Sequence, residues 1–120
     1  MPAGGATSAR KKAAPASPLE ADLKATCRRY AQKRDCLLLV INPPPVGIPD
    51  RLLVGPEGVV FVEFKRPGKY PTEIQQAWLW WLRKMGQKAD VVRSLDDFKI
   101  LVDLVSKGGQ DTHTNHLRGA

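Results

Sequence analysis

The sequence predicts an α/β domain in which a mixed sheet is flanked by helices, in the order α-β-β-β-α-β-α. Three observations support this fold class. Apolar residues recur at the helical period in three segments, and short apolar runs typical of strands lie between them. The turn-forming residues 55–58 (Gly-Pro-Glu-Gly) separate two of these runs, 50–54 and 59–65, as in a hairpin. With 120 residues, the chain has room for one domain and one core.

The first helix is predicted to begin near Ser17-Pro18, because Ser is a good N-cap and Pro suits the first helical turn. Its apolar positions at helical spacing are Leu19, Leu23, Cys27 and Tyr30. The apolar run 36–41 follows, and its composition predicts a strand buried on both faces. Prolines 43–45 end this strand, since proline cannot donate to a strand ladder.

The second half of the chain predicts two more helices with a strand between them. The second helix begins at about Thr72, and Gly86 is a plausible stop. Its apolar stripe, which we expect to pack in the core, consists of Ile74, Trp78, Trp81, Leu82 and Met85. Residues 89–93 predict the last strand, and Ser94 with Asp97 three residues on predicts the start of the last helix.

Composition bounds the domain and the classes of function. Residues 18–106 are predicted to form the domain, with a flexible basic arm at 1–17 and a flexible tail at 107–120. No run approaches the roughly 20 apolar residues of a membrane span, and the N-terminus lacks a secretory signal, so we expect a cytoplasmic protein without a membrane partner. Two cysteines, Cys27 and Cys36, are too few for a disulfide scaffold and are expected to be reduced.

The formal net charge is +7, from 19 Lys and Arg against 12 Asp and Glu. A basic balance in a small domain favours a polyanionic partner, because each phosphate that is neutralised releases counterions. Part of this charge, Arg10, Lys11 and Lys12, lies in the predicted arm and is expected to add non-specific affinity for DNA.

The register of the hairpin is predicted to place two carboxylates opposite each other. If residues 55–58 form the loop, Val54 faces Val59 and, counting outward, Asp50 faces Glu63. Directly opposite Cβ atoms lie roughly 4.5–5.5 Å apart, so the two carboxylates repel. A divalent cation removes that repulsion, and Mg²⁺ is commonly held by one or two carboxylates with water and substrate phosphate. A slip of one residue in register would separate the pair.

Lys65 lies two residues after Glu63 and therefore points to the same face of the strand. With Asp50 opposite, the three side chains converge on one spot. Phosphodiester hydrolysis uses this combination, because a metal activates the phosphate and water while a cation offsets the charge of the transition state. Any one of these charges alone is better explained as a solvated surface side chain. Their agreement in face and register favours an active site.

These residues resemble a known family. The segments 47–52 (Gly-Ile-Pro-Asp-Arg-Leu) and 62–68 (Val-Glu-Phe-Lys-Arg-Pro-Gly) are similar to the PD-(D/E)xK signature of restriction-endonuclease-like nucleases. More narrowly, the chain resembles the VRR-NUC family, the virus-type replication-repair nuclease domain. The similarity continues through Thr72-Glu-Ile-Gln75 and a Trp-rich helix, and covers roughly residues 18–105. It implies a restriction-endonuclease-like mixed sheet flanked by helices.

The resemblance also implies a metal site for Mg²⁺ or Mn²⁺. Its ligands would be Asp50, Glu63 and the backbone carbonyl of Phe64, with Lys65 as the catalytic lysine. A further acidic ligand is implied on the first helix. Either Glu20 or Asp22 can supply it, and Glu20 sits where the family carries its glutamate; the alternative for Glu20 is a carboxylate that only complements the helix dipole.

Other residues near this site have two interpretations. Gln75 matches a family glutamine of the active site, but with Thr72 it also forms a capping-box pattern. Trp80 falls off the apolar stripe, so it can stack on a base, bury in a dimer interface or occupy a half-buried rim. The cations that flank the site and are predicted to contact DNA phosphates are Arg51, Arg66 and Lys69.

The function that we expect is a metal-dependent, structure-selective DNA endonuclease. Stand-alone members of the resembled family, from phages and bacteria, form homodimers that act on branched DNA such as four-way (Holliday) junctions, whereas other members cut flaps in DNA repair. The resemblance therefore implies branched DNA as substrate, a homodimer, and a bacterial or phage-infected cell. The alternatives are a nuclease of flaps or single strands, a non-catalytic nucleic-acid-binding module, or a protein-interaction domain that uses the Trp80 face.

Overall fold

The computed structural model describes residues 18–106; the predicted arm and tail lie outside this range. Within it the chain forms three helices and four strands in the predicted order. These elements are α1 (Pro18–Lys33), β1 (Leu37–Val40), β2 (Arg51–Gly55), β3 (Gly58–Phe64), α2 (Glu73–Lys84), β4 (Lys88–Val92) and α3 (Leu95–Val105). None of the helices in the described range is long and apolar enough to cross a bilayer.

The four strands form one mixed sheet in the order β1-β2-β3-β4. The pairs β1–β2 and β2–β3 are antiparallel, and β3–β4 is parallel. Parallel neighbours need a crossover connection, which α2 supplies. The sequence prediction of a mixed sheet flanked by helices is confirmed.

The main core lies between one face of the sheet and the helices α1 and α3. It contains alternate strand residues, because successive side chains of a strand point to opposite faces. The buried residues of this core are Cys27, Ala31, Cys36, Leu38, Leu53, Val60, Val62, Phe64, Val92, Phe98, Leu101, Val102 and Val105. Both cysteines are free thiols and are buried.

A smaller core lies on the opposite face, beneath α2. It is formed by Leu79 and Leu82 of α2 with Ala89 of β4, and Phe61 and Val91 pack against it. The helix therefore covers β4 and the adjoining part of β3. On this face the half of the sheet that β1 and β2 form is not covered by α2.

The prediction that the first strand is buried on both faces is wrong. In β1 only Leu38 is buried, whereas Leu37, Leu39 and Val40 are 51%, 43% and 60% exposed. The strand lies at the edge of the sheet, and the described helices cover only one of its faces. The apolar run shows that the strand is hydrophobic, but it does not show which of its faces other elements cover. Hydrophobic periodicity therefore could not distinguish an edge strand from a strand that is buried on both faces.

The predicted core stripe of α2 is also wrong in most of its positions. Of its members only Leu82 is buried, and Leu79, outside the predicted stripe, takes the second core position. Ile74, Trp81 and Met85 are 48%, 53% and 61% exposed. Ile74 lies against the loop before β2 at Gly47, and Trp81 and Met85 follow it at i+7 and i+11, so the three share one side of α2.

Leu37 and Leu39 are exposed on the face of the sheet that α2 covers in part, and we call these exposed apolar residues the open apolar face (Leu37, Leu39, Ile74, Trp81 and Met85). The register supports its placement on one side of the sheet. Leu39 pairs with Leu52, Leu52 with Phe61 and Phe61 with Ala89, so this row of side chains ends in the small core beneath α2.

The hairpin has the predicted register but a shorter loop. Val54 pairs with Val59, and Gly55 pairs with Gly58, so only two residues turn the chain instead of the predicted four. Gly55 also lies too close to the Val105 carbonyl to accept a side chain. The packing of the hairpin end against α3 therefore helps to fix the register in which β2 and β3 pair.

Candidate active site

Glu63 lies near the end of β3 on the side of the sheet opposite the main core, and it is only 7% exposed. Burial raises the pKa of its carboxyl group to about 7, because the charged form loses its hydration. Lys65 and Lys24 act in the opposite direction, whereas the negative charges of Asp50 and Glu20 raise the pKa further. Glu63 is thus the point at which charges from α1, β2 and β3 meet.

Lys65 lies on the same face as Glu63, as predicted. Its Nζ is 3.8 Å from Glu63 Oε2, and its side chain is 18% exposed. The backbone N–H of Lys65 donates to the Val92 carbonyl at 3.0 Å. The pairing of β3 with β4 therefore continues to the lysine and fixes the direction of its side chain.

Asp50 precedes β2, one step beyond the pair Arg51–Val62, which places it beside Glu63 in register. Its backbone carbonyl accepts a hydrogen bond from Ile41 N–H at 2.9 Å and so extends the β1–β2 ladder. Arg51, which was predicted to contact DNA, forms an ion pair with the Asp50 carboxylate at 3.1 Å. The Asp50 side chain is 39% exposed, so a cation can approach it from solvent.

Gln75 forms the predicted capping box and also contacts Glu63. Its side-chain carbonyl accepts from the Thr72 N–H at 2.9 Å and its own N–H donates to Thr72 Oγ1 at 3.3 Å, which completes a capping box. Its Nε2 donates to Glu63 Oε2 at 3.1 Å. The cap therefore orients an amide whose other end holds the buried carboxylate, although a catalytic role for Gln75 stays a prediction.

The first helix brings Glu20 rather than Asp22 to the site. Glu20 lines a cavity together with Lys65 and acts electrostatically on Glu63, whereas Asp22 is exposed and does not contribute to the pKa of Glu63. Lys24 lies one turn after Glu20 on the same face and also acts on Glu63. Sequence analysis missed Lys24, although its i+4 spacing from Glu20 was a usable indication.

The remaining predicted residues lie around this centre. Arg66 follows Lys65 and lines the same cavity, and Lys69 is exposed in the loop that follows. The ring of Phe64 packs in the main core, 6.3 Å from the ring of Phe98. Its backbone carbonyl as a metal ligand, and Arg66 and Lys69 as phosphate contacts, remain predictions.

The donor set of the site suits a hard divalent cation. Asp50, Glu63 and Glu20 offer carboxylate oxygens, which Mg²⁺ and Mn²⁺ prefer to sulfur or nitrogen. Among the described residues, no three His, Cys, Asp or Glu side chains are gathered tightly enough to form a ready metal cluster. Mg²⁺ does not require one, since it is usually bound by one or two carboxylates and keeps several waters.

Comparison with known proteins places this site in a known fold. No family model and no curated protein matches the sequence. One solved structure, described as "VRR_NUC domain", matches with a TM-score of 0.62 and 24% identity over 72% of this chain and 97% of that chain. Another, described as "VRR_NUC domain protein", matches with a TM-score of 0.58 and 14% identity over 76% and 90% of the two chains.

The architecture defines the chain first as an α/β domain with a four-stranded mixed sheet flanked by helices. More narrowly, its fold is that of the VRR_NUC domain structures, as the sequence resemblance implied. At these identities the likeness concerns the fold, and what the residues do is a separate question.

Proposed function

We propose that the protein is a metal-dependent endonuclease that hydrolyses phosphodiester bonds of DNA. The observation that supports this function most is the environment of Glu63 in a VRR_NUC fold. A buried carboxylate has a lysine 3.8 Å away, a glutamine at 3.1 Å, and the charges of Asp50 and Glu20 within electrostatic reach. A fold gains little stability from such a cluster, so a ligand that uses it is the better explanation.

Each residue has a distinct part in the proposed reaction. Asp50, Glu63, Glu20 and the Phe64 carbonyl would hold Mg²⁺ or Mn²⁺, which when bound supplies Lewis-acid activation of the scissile phosphate. Lys65 offsets the negative charge that develops on the phosphate oxygens. Gln75 keeps the Glu63 carboxylate oriented, in the way that outer-shell partners fix metal ligands.

The cations around the site are proposed to bind the flanking phosphates. Arg66 lines the cavity next to Lys65, and Lys69 is exposed on the following loop, so both can reach a DNA backbone that passes the site. Arg51 is already paired with Asp50. This ion pair uses Nη1 of the guanidinium, and we propose that Nε and Nη2 contact a phosphate.

We further propose that the protein acts as a homodimer, and that the open apolar face forms the interface. Exposed apolar side chains that lie together on one side of a small domain are typical of interaction surfaces. When two protomers related by a twofold axis associate through this face, the open apolar faces of both are buried. Such a dimer carries two sites and suits branched DNA, including a four-way junction, in which two strands are cut.

Cleavage assays on defined DNA structures test the proposed activity. Labelled four-way junction, splayed arm, flap, duplex and single-stranded DNA are incubated with Mg²⁺, Mn²⁺ or EDTA. We expect cleavage only with metal, and its loss in Glu63→Gln and Lys65→Ala. The substrate that is cut fastest identifies the preferred structure. Binding of DNA without cleavage by either metal would instead support the alternative of a non-catalytic nucleic-acid-binding module.

The first helix offers a matched control for the metal site. Glu20→Gln removes a carboxylate that acts on Glu63, and Asp22→Asn removes an exposed one two residues away. We expect cleavage to fall in the first variant by at least the roughly 10-fold that loss of an outer-shell partner costs, and to stay unchanged in the second. Equal activity of the two variants contradicts Glu20 as a ligand.

Sedimentation or light scattering tests the dimer. Leu39→Lys and Trp81→Lys place charges on the open apolar face and are expected to give monomers. Ile100→Lys is the control, because Ile100 is 63% exposed on α3, which packs on the other face of the sheet. A wild-type protein that is strictly monomeric at assay concentrations would contradict junction resolution by a dimer.

A further inference from the structure

The loop that follows Lys65 is held to the end of β4 by one arginine. Arg93 Nε and Nη2 donate to the Lys69 carbonyl at 3.1 and 2.8 Å. The backbone N–H of Arg93 donates in turn to Asp97 Oδ2 at 2.9 Å, which connects this contact to the first turn of α3. The loop from 66 to 70 is therefore fixed next to the catalytic lysine.

Tyr70, at the end of this loop, is an aromatic side chain that the fold does not use as core. It is 77% exposed, and the guanidinium carbon of Arg93 lies 5.3 Å from its ring centroid. Arg93 covers one face of the ring, and the high exposure leaves the other face to solvent. An exposed ring supported by an arginine is the arrangement with which proteins stack unpaired bases.

A cavity of about 230 Å³ continues from Arg93 to Lys65. Its lining residues are Glu20, Leu23, Lys65, Arg66, Pro67 and Arg93. The wall is mainly carbon, while three of the six residues carry a positive charge. A water needs only roughly 10–15 Å³ of such space, so the cavity has room for a larger group. An apolar wall with cations is suited to a sugar and its phosphate.

We propose that Tyr70, Arg93 and the adjoining cavity form a nucleotide platform that binds one unpaired nucleotide of the DNA next to the scissile phosphate. The base stacks on the open face of Tyr70, the sugar enters the cavity, and Arg66 and Arg93 face the phosphate. A paired base has neighbours on both of its faces and cannot make this contact. The platform rests on the proposed nuclease function and specifies its substrate as branched DNA in which one nucleotide beside the cut is unpaired, at a flap or at the branch point of a junction.

Binding measurements with substitutions at Tyr70 test the platform. Affinities for a single strand and for the matching duplex are measured with Ca²⁺ in place of Mg²⁺. We expect Tyr70→Ala and Tyr70→Leu to weaken binding of the single strand by roughly 5- to 150-fold, the usual range for one stacked base. Tyr70→Phe keeps the ring and is expected to bind as the wild type does, and affinity for duplex is expected to stay unchanged in all three variants.

An abasic scan adds a test that a general loss of affinity cannot imitate. One base at a time is removed from the single strand. At one position, we expect removal of the base to weaken binding by the wild type by about the same factor as the substitution Tyr70→Ala does. Removal of that base should not weaken binding by the Tyr70→Ala variant any further. A position-independent effect, an equal loss on duplex, or no effect of Tyr70→Ala overturns the platform. Thermal unfolding checks that the variants are folded.

The platform and the nuclease function fail separately. Cleavage of the five DNA structures with Mg²⁺ is measured in parallel. If the wild type cleaves none of them but its binding of single strands depends on Tyr70, the nuclease function is wrong and the platform stands. If the wild type cleaves DNA and Tyr70→Ala changes neither binding nor the preferred substrate, the platform is wrong and the nuclease function stands.

Discussion

At the scale of the residue, Glu63 is subject to two opposing influences. Its burial favours the protonated, uncharged form, and the carboxylates of Asp50 and Glu20 add to this effect. The positive charge of Lys65 and the hydrogen bond that the Gln75 amide donates favour the charged form. A divalent cation would shift the balance entirely to the carboxylate, because its double charge acts at the shortest distance. Metal binding and the proton of Glu63 should therefore be linked.

The raised pKa of Glu63 predicts that the stability of the folded protein depends on pH. The pKa of Glu63 is about 7 in the folded protein, against an ordinary value of 4.5. Between these pH values the folded state holds a proton that the unfolded state has released, so stability falls as pH rises. Without metal, we expect urea unfolding to show a loss on the order of 1–3 kcal/mol between pH 4.5 and 8 from this group.

Glu63→Gln is the control for this pH dependence, since it keeps the size of the side chain and cannot ionise. Its stability is expected to lack the fall between pH 4.5 and 8, so that it exceeds the wild type at pH 8 in EDTA. With Mg²⁺ the wild type should be stabilised mainly at the higher pH, because the ligand must be deprotonated. Parallel pH curves for the two proteins would show that Glu63 does not titrate in this range.

The double role of Gln75 gives a second prediction. Thr72→Ala removes the N-cap but keeps the amide beside Glu63, whereas Gln75→Ala removes both the capping-box bond and the contact with Glu63. We expect each to cost about 1 kcal/mol of unfolding free energy. Cleavage, by contrast, should fall by roughly 10- to 100-fold in Gln75→Ala alone. Unfolding curves and initial rates of the two variants separate the roles, and equal rates would leave Gln75 as a cap only.

At the scale of the element, the loop before β2 is locked against α2. Gly47 has φ +89°, and a Cβ atom there would lie 2.8 Å from Ile74 Cγ1 and 2.9 Å from Trp78 Cδ1. Trp78 cannot easily give way, because its Nε1 donates to the Val46 carbonyl at 2.9 Å. The same loop ends at Asp50, so its packing also positions a predicted metal ligand.

Gly47→Ala should therefore be more harmful than the same change at a comparable glycine. Gly86 has φ +84° but open space at the Cβ position, so Gly86→Ala meets only the backbone cost of about 1–2 kcal/mol. Gly47→Ala adds overpacking of roughly 1–3 kcal/mol. Urea unfolding monitored by Trp fluorescence measures both. Equal losses of unfolding free energy in the two variants would mean that α2 shifts to accommodate the added Cβ atom without further destabilisation.

The sequence could predict that these side chains converge because they are local. Asp50, Glu63 and Lys65 belong to one hairpin, and counting from a short loop was enough to align them. Gln75 was ambiguous, since the same spacing serves a cap and an active site, and only the three-dimensional structure shows that the capping glutamine also contacts Glu63. Lys24 was missed because its local indication was only the i+4 spacing from Glu20, whereas its effect on Glu63 depends on where α1 crosses the sheet.

The same reasoning explains the errors in the elements. Hydrophobic periodicity identified α2 and β1 correctly as elements, but it assumed that every apolar face is covered by the chain itself. In a four-stranded sheet one helix covers only part of a face, so Leu39 and Trp81 stay exposed. Composition cannot distinguish a residue that packs in the core from one that packs on a partner.

At the scale of the whole molecule, the fold gathers its charged centre at one end. Glu20 lies in the first turn of α1, Gln75 in the first turn of α2, and Lys65 directly after β3. Lys33, Lys84 and Lys88 lie at the opposite ends of their elements, α1, α2 and β4. DNA that reaches the site should therefore pass one end of the domain. Its affinity should depend more on where the positively charged side chains lie than on the net charge of the protein.

The last prediction concerns the basic residues of the arm, Arg10, Lys11 and Lys12. Each phosphate contact contributes about 0.9 to the slope of log affinity against log salt concentration. Replacing all three by alanine removes three of the positive charges behind a net charge of +7, and is expected to lower the magnitude of the slope by up to about 3. Affinity for duplex and junction should fall together, since phosphate contacts read no sequence.

The matched control for the arm is Lys33→Ala/Lys84→Ala/Lys88→Ala, which removes the same charge from three exposed lysines at the far end of the domain. Filter-binding or fluorescence titrations at several salt concentrations give the slope of each protein. We expect the control to keep the wild-type slope, because its lysines do not touch the DNA. An equal change in both triple variants would mean that only the net charge acts, and an unchanged slope in the arm variant would show that the arm makes no phosphate contact.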